Sequence, residues 1–404
     1  MVRAFRVTPL LLPALLAAAV VAGGAPREVR GLWVVRTALS SPASVSAMVA
    51  AARDAGINTL IVQVRGRGDA YYASRREPRA AALSAQPASF DPLASVLREG
   101  HAAGLAVHAW ININLVADAG SDPSRDPRHL VRRHPEWLMV PLDLAASIGD
   151  PRGPTYLRTL ASWTRNQAGT LEGLFTSPIP AGAADHLAGV VEDLVERYAV
   201  DGVHFDYVRY PGASFDYSRE ALRAFSRDVA ADLSRPDRLA LERKQRSNPL
   251  VWTQMFPQRW DAFRRARLTD LVRRLRGAVR RHRPAAIVSA AVVPDPQTAV
   301  GSKFQDWPGW AAGGVLDALC PMTYATDTGA FRQQVEASMS AAHGRPVWAG
   351  IGAYRLSAGE AARQIQAARD LGVDGVLLFS YDSLVNPARG PDNLSRIGAQ
   401  AFGR

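Results

Sequence analysis

A short phrase recurs in this chain where an apolar helix gives way to an apolar strand, and it constrains the fold more than any other feature. Ala199-Val200-Asp201-Gly202-Val203 and Gly372-Val373-Asp374-Gly375-Val376 are near copies, and Gly56-Ile57-Asn58-Thr59 is a looser third. In each, small and polar residues end a helical pattern just before an apolar, β-branched run begins. Repeated junctions of this kind imply strands running in one direction, each returning through a helix. Strand-like runs fall at 29–36, 59–64, 106–111, 202–208, 287–293, 316–324, 346–351 and 375–380, with helical patterns at 44–55, 92–103, 184–198, 263–282 and 358–371. Eight strands alternating with helices predict an α/β fold, a closed (β/α)8 TIM barrel in a single domain, with long loops after its third and fourth strands. An open doubly wound sheet is the alternative, but no glycine-rich phosphate loop follows the first strand.

Before the barrel, Arg3 and Arg6 precede the apolar run 10–22, and Gly23-Gly24-Ala25 offers small residues for cleavage. Residues 1–25 therefore read as a secretory signal peptide and 26–404 as the barrel domain. The run is short for a membrane span, and no later run is long enough to cross a bilayer, so no stable membrane insertion is expected once the signal is removed. The expected location is periplasmic or secreted. The lone cysteine, Cys320, sits in an apolar run and reads as a buried thiol. The net charge of +11 invites a nucleic-acid reading. However, Lys244 and Lys303 are the only lysines, and many arginines fall on a helix whose Leu268, Leu271, Leu275 and Val279 form an apolar stripe. The arginines then occupy its solvated face. No nucleic-acid partner is expected, and an acidic polysaccharide or envelope surface stays open as a beneficiary of the charge.

The chemistry of a barrel gathers at the C-terminal ends of its strands. The fourth strand carries the densest signal, Asp201-Gly202-Val203-His204-Phe205-Asp206-Tyr207-Val208-Arg209-Tyr210-Pro211. Alternation puts His204 and Asp206 on the face opposite Val203 and Phe205, with Asp206 where strand meets loop. Asp201, about 16 Å away at the other end of the strand, is a turn residue and too remote to partner it. The second strand ends in Gln63 and Arg65, followed by Asp69 and Tyr72; the third contributes Trp110, Asn112 and Asn114. Tyr207, Arg209 and Tyr210 follow Asp206; Tyr324 and Asp327 follow the sixth strand; Tyr381 and Asp382 follow the eighth. Rings, amides and arginines with few carboxylates describe a sugar cleft, since rings stack on pyranose faces while amides and guanidinium groups bond hydroxyls. His108 and His204 read as barrel-interior histidines. A metal site built from them and Asp206 is conceivable, but no ligand motif supports it and no cofactor is expected.

At this point several blocks carry a resemblance. Arg30-Gly31-Leu32-Trp33, Gly68-Asp69-Ala70-Tyr71-Tyr72, His108-Ala109-Trp110-Ile111-Asn112, Pro135-Glu136-Trp137-Leu138 and above all Asp201 to Pro211 resemble, in order, the glycosyl-hydrolase-like family ten proteins. These are bacterial envelope proteins with a TIM-barrel domain, some of which hydrolyse peptidoglycan glycan strands stripped of peptides. The resemblance spans roughly residues 30–382 and implies that Asp206 is the catalytic acid, with surrounding aromatic and amide positions contacting sugar. The stretch 145–173 looks like extra length. The expectation is an exported glycoside hydrolase acting on an amino-sugar-containing polysaccharide, with Asp206 protonating the glycosidic oxygen. Asp69, Asp327 and Asp382 are candidates for the second group. Alternatively the substrate's acetamido group attacks, with Tyr324 polarising it. Two other readings stay open: a non-catalytic glycan-binding barrel, and a metal-dependent deacetylase using His108 and His204.

Overall fold

The computed structural model describes residues 28–390 and 392–403. The proposed signal peptide lies outside the described residues. Ten strands occur in chain order: β1 (Val29–Val34), β2 (Thr59–Arg65), β3 (Ala106–Asn112), β4 (Leu115–Asp118), β5 (Gly173–Phe175), β6 (Gly202–Asp206), β7 (Ile287–Val292), β8 (Ala318–Pro321), β9 (Trp348–Ile351) and β10 (Gly375–Phe379). Eight of them form one sheet in the order β8-β7-β6-β3-β2-β1-β10-β9. All its pairings are parallel. The seam between β8 and β9 is drawn together by a parallel bridge, Leu319 to Val347, and by the Leu319 N–H donating to Pro346 O at 2.9 Å. The sheet is thus a nearly closed barrel rather than an open doubly wound layer.

The recurring junction phrase now has a physical reason. Asp201 accepts a hydrogen bond on Oδ2 from the Val107 N–H at 2.7 Å, and its own N–H donates to Val107 O at 2.9 Å. Asp374 makes the same reciprocal pair with Val347, and Asn58 with Arg30. Asp317 repeats it with Val288. Each polar residue satisfies the first backbone groups of the neighbouring strand at the bottom of the barrel, where ladder partners run out. Gly56, Gly104 and Gly372 end their helices with φ of 76°, 74° and 79°, the left-handed conformation that only glycine adopts freely.

Side chains alternate between two cores. Leu32, Leu60, Val62, Val203, Phe205 and Val288 face outward against the helices. Trp33, Ile61, Trp110, Ala318, Cys320, Trp348 and Leu377 fill the barrel interior. The large rings fit because small residues face them. A Cβ on Gly202 would lie 2.5 Å from His108 Nδ1, and one on Gly350 would lie 2.7 Å from Pro321 O and 3.0 Å from Trp33. Cys320 is a free, buried thiol whose pKa burial pushes up.

The loops hold more structure than their sequences suggest. Between β3 and β6, the β4–β5 antiparallel pair and the helix Tyr156–Asn166 enclose a satellite core of Val116, Leu130, Val131, Leu138, Leu160 and Leu174. After β6, the helices Arg219–Ala230, Arg235–Gln245 and Val251–Met255 bury Phe225, Leu241 and Trp252 against the long helix Pro257–His282. On that helix Leu268, Leu271, Leu275 and Val279 are buried as the stripe requires. Arg264 departs from it. It is 2% exposed, stacks 3.9 Å from the Phe304 ring centre, and donates to the Ala213 and Phe215 carbonyls. Among the described residues, no helix is long and apolar enough to cross a membrane.

Candidate active site

The strand β6 delivers Asp206 to the top of the barrel with 8% of its surface exposed. Tyr207 then turns the chain sharply, at φ 48°, a left-handed conformation rarely adopted by aromatic residues and costing roughly 1–3 kcal/mol. The turn brings the Tyr207 N–H to 2.6 Å from Asp206 Oδ1 and fixes the carboxyl in place. Around it opens a cleft of about 230 Å³ at the C-terminal strand ends. Its walls carry Trp33, Trp110, Tyr207, Tyr324 and Phe379, three guanidinium groups from Arg36, Arg67 and Arg209, and the amide of Gln63. Among the described residues, Asp206 is the only carboxylate that lines it. The rings brace one another: Tyr324 stacks on Phe379 at 5.5 Å and meets Trp33 edge-on at 6.4 Å.

The electrostatics follow from burial. Burial lifts the Asp206 carboxyl above the usual carboxylate range, and the Arg209 guanidinium, the largest opposing influence, only partly offsets it. Arg209 is held to Glu172 at 2.8 Å and lies 4.7 Å from the Tyr207 ring centre. Burial would raise the Glu172 carboxyl, but Arg209 outweighs it and holds that carboxyl down. Arg67 bonds Asp118 at 2.5 Å, and Arg36 donates to Gln63 at 2.9 Å. Burial and the nearby Asp206 raise the Tyr324 phenol well above its ordinary value, and burial pushes Tyr207 up to about 12, so both stay protonated donors. Beneath the floor, burial lowers His204 to about 3 and His108 to about 4, keeping both rings neutral. The Trp33 indole N–H donates to His204 Nε2 at 3.2 Å, which leaves the His204 Nδ1–H to donate to Ser289 Oγ at 3.0 Å.

Of the positions singled out in the sequence, Gln63, Trp110, Asp206, Tyr207, Arg209 and Tyr324 converge on the cleft. Asn112 stands directly behind, accepting from the Trp110 indole at 2.8 Å and donating to Gly66 O at 2.9 Å. The others lie elsewhere. Arg65 is fully buried in a bidentate pair with Glu77, 2.7 Å on both sides, and donates to the Asn112 and Ile113 carbonyls. Tyr72 packs edge-on against Tyr198, and Tyr210 against Phe304. Asn114 donates to Thr176 O at 2.8 Å, and Tyr381 is part of the outer core.

None of the proposed second carboxylates lines the cleft among the described residues, although Asp69 and Asp382 bond backbone N–H groups of the wall residues Arg67 and Val35. Asp69 accepts from the Arg67 N–H at 3.0 Å, and Asp327 caps the helix Thr328–Ser340 through the Ala330 N–H at 2.8 Å. Asp382 accepts from the Val35 N–H at 3.1 Å and from Thr37 Oγ1 at 2.7 Å, pinning the end of β1. Among the described residues no group of three or more His, Cys, Asp or Glu is placed to hold a metal ion. Trp33, Arg36, Arg67 and Phe379 were not anticipated. Trp33 and Phe379 could have been found from strand alternation, whereas Asp118 and Glu172 arrive on β4 and just before β5, whose short strands leave no pattern.

A family model described as Glycosyl hydrolase-like 10 matches residues 28–372. The chain belongs to that family. Among curated proteins it is similar to glycosyl hydrolase YngK of Bacillus subtilis, 28% identical over 160 residues, which is 39% of this chain and 26% of that protein. It is also similar to glycosyl hydrolase DigH of Escherichia coli, 27% identical over 173 residues, 39% of this chain and 33% of that protein. The matched parts thus span a third or less of these relatives. Among solved structures the PgaB (BpsB) glycoside hydrolase domain of Bordetella bronchiseptica superposes with a TM-score of 0.60 at 16% identity, covering 93% of this chain and 99% of that one. A β-galactosidase from Bacillus circulans gives 0.63 at 13% identity, covering 93% and 56%. At such identities the likeness speaks for the barrel alone.

Proposed function

We propose that this member of the family is an exported glycoside hydrolase acting on an amino-sugar-containing bacterial glycan, such as peptide-free peptidoglycan strands. The observation that carries the reading is the lone, buried Asp206 in a ring-walled cleft at the strand ends. A carboxyl kept above its ordinary range in such a place serves as a general acid.

With Asp69, Asp327 and Asp382 set back from the cleft lining and bonded to backbone N–H groups, the second group comes from the substrate. The carbonyl oxygen of the 2-acetamido group attacks the anomeric carbon as the bond to the glycosidic oxygen breaks, and Asp206 gives its proton to that oxygen. Water then opens the resulting oxazolinium ion at the anomeric carbon and returns a proton to Asp206. The phenols of Tyr324 and Tyr207, both held protonated, supply donors for the acetamido group. This route predicts retained anomeric configuration.

The test is mass spectrometry of products after incubation of peptide-free glycan strands with the protein and with Asp206→Asn. Shortened saccharides from the wild type alone are expected. The lone carboxylate also suits a second reading, a glycan-binding barrel without turnover. Strand binding with no products from the wild type would select it and end the hydrolase reading.

A further inference from the structure

The segment between β3 and β6 carries a second concavity, of about 550 Å³, bounded by Arg125, Arg132, Arg158 and Arg165 against a single carboxylate, Asp122. All four arginines are exposed. Asp122 is taken by Arg165 at 2.6 Å, and Arg132 donates to the Ser124 carbonyl at 2.8 Å. Arg125 and Arg158 pair with no carboxylate among the described residues. The acidic residues nearby do not cancel this charge. Asp126 is bound by Arg128 at 2.8 Å and Glu172 by Arg209 at the cleft. A helix face that merely sheds its arginines into solvent would be convex; here they surround a hollow. Its frame is rigid, because the helix Tyr156–Asn166 buries Tyr156 and Leu160 in the satellite core.

The hollow communicates with the candidate active site. Arg67 lines both the Asp206 cleft and a middle concavity, and Asp122 lines both that concavity and the arginine hollow. The three depressions therefore follow one another outward from Asp206; the middle one carries Asp69, Asp118, Asp122 and Asp126 beside Arg67 and Arg79, and the excess of positive charge lies at the arginine hollow. An acidic polymer that reaches past the middle depression meets the positive field of the arginine hollow. The arginine hollow has no aromatic side chain on its wall, so it offers no platform for stacked bases, whereas the cleft at the other end is walled by rings suited to sugars.

We propose that the arginine hollow binds the distal part of an extended acidic polysaccharide, one bearing a carboxylate at regular intervals along the chain, whose other part occupies the Asp206 cleft. The proposal rests on the glycosidase reading for its polymer class, and its test reads binding separately from cleavage.

In an Asp206→Asn background, binding of long peptide-free glycan strands, acidic through their lactyl carboxylates, is measured by calorimetry at low and at physiological salt. Three proteins are compared: the parent, Arg125→Glu/Arg158→Glu, and a control with two charges reversed on a distant helix, Arg243→Glu/Arg246→Glu. Expected is about tenfold or greater weakening in the hollow variant alone, with a shallower salt dependence. Carboxyl-methylated strands should bind the parent weakly and discriminate none of the three. Equal affinity across the proteins, equal loss with methylated strands, or equally tight binding of duplex DNA would each overturn the proposal. Cleavage by the wild type, scored separately, decides the hydrolase reading: products without any effect of Arg125→Glu/Arg158→Glu sink the hollow's role alone, while strand binding that depends on these arginines without products sinks the hydrolase alone.

Discussion

Replacing Glu77 by Gln should unsettle this barrel more than any change at its surface. Glu77 is buried with 1% of its side chain exposed, and both oxygens bond Arg65, whose side chain is fully enclosed. Burial would raise the Glu77 carboxyl, yet Arg65 and His186 hold it down to about 2, from an ordinary 4.5. Since a tenfold change in proton affinity corresponds to 1.36 kcal/mol, the charged form gains about 3 kcal/mol from its surroundings. The sign is that of a depressed carboxyl. The contribution is whole above about pH 4.5 and is lost as pH falls through about 2. Breaking a buried pair leaves Arg65 uncompensated, so Glu77→Gln should lose about 3–5 kcal/mol at neutral pH. The assay is urea unfolding at several values between neutrality and pH 3, with the slope checked against the wild type for two-state behaviour. The gap between the two proteins should be widest near neutrality and narrow in acid. A Glu77→Gln protein within 1 kcal/mol of wild type at pH 7 would refute the reasoning, because Arg65 would then need no anion and could serve a ligand instead. A paired replacement, Arg65→Met with Glu77→Leu, should recover most of the loss.

Other outcomes follow from the cleft. Asp206→Asn should lower turnover about 100-fold or more while sparing strand binding, read by product analysis and calorimetry. Because Asp206 must carry a proton to act, wild-type activity should fall as pH rises through its elevated pKa; Arg209→Met removes the largest opposing influence and should move that alkaline limb of kcat/KM upward. De-N-acetylated strands should resist cleavage even where they bind, and nuclear magnetic resonance of fresh products should show retained configuration. Gly202→Ala puts a methyl within 2.7 Å of three His108 ring atoms and should cost about 1–3 kcal/mol of stability, relieved in part by His108→Ala in a double-mutant cycle.

How much of this was legible in the chain depends on the range of the forces involved. The barrel strands could be read because each is a largely apolar run of four to seven residues bounded by a polar junction, and the junction residues do their work within one neighbouring strand. Alternation along β6 likewise placed Asp206 and His204 inward without further information. Alternation failed at β2, where the register shifts between Gln63 and Arg65. That irregularity turns Arg65 away from the cleft into the pair with Glu77, although its spacing from Gln63 predicted a shared face. Arg67, two residues further, takes the place at the wall. Asn114, Tyr72 and Tyr210 were misplaced for a related reason: residues just beyond strand ends were assumed to stay at the site, whereas each is packed away by contacts that come from distant segments.

The segment between β3 and β6 is where local reading gave least and the structure adds most. Its strands are three and four residues long, too short for a period to show, and it reads as surplus length. Folded, it supplies Asp118 and Glu172, the counter-ions of Arg67 and Arg209, and so sets the direction in which two of the three cleft guanidinium groups point. Those pairs reduce the positive charge close to Asp206, which favours keeping its carboxyl protonated, while Arg125 and Arg158 farther out pair with no carboxylate among the described residues. One insertion thus gives the cleft a nearly balanced charge and the outer hollow a positive one. On the reading proposed above, a nearly balanced charge at Asp206 and positive charge at the arginine hollow are compatible because the groups proposed to hold the polymer stand apart from the group proposed to cleave it.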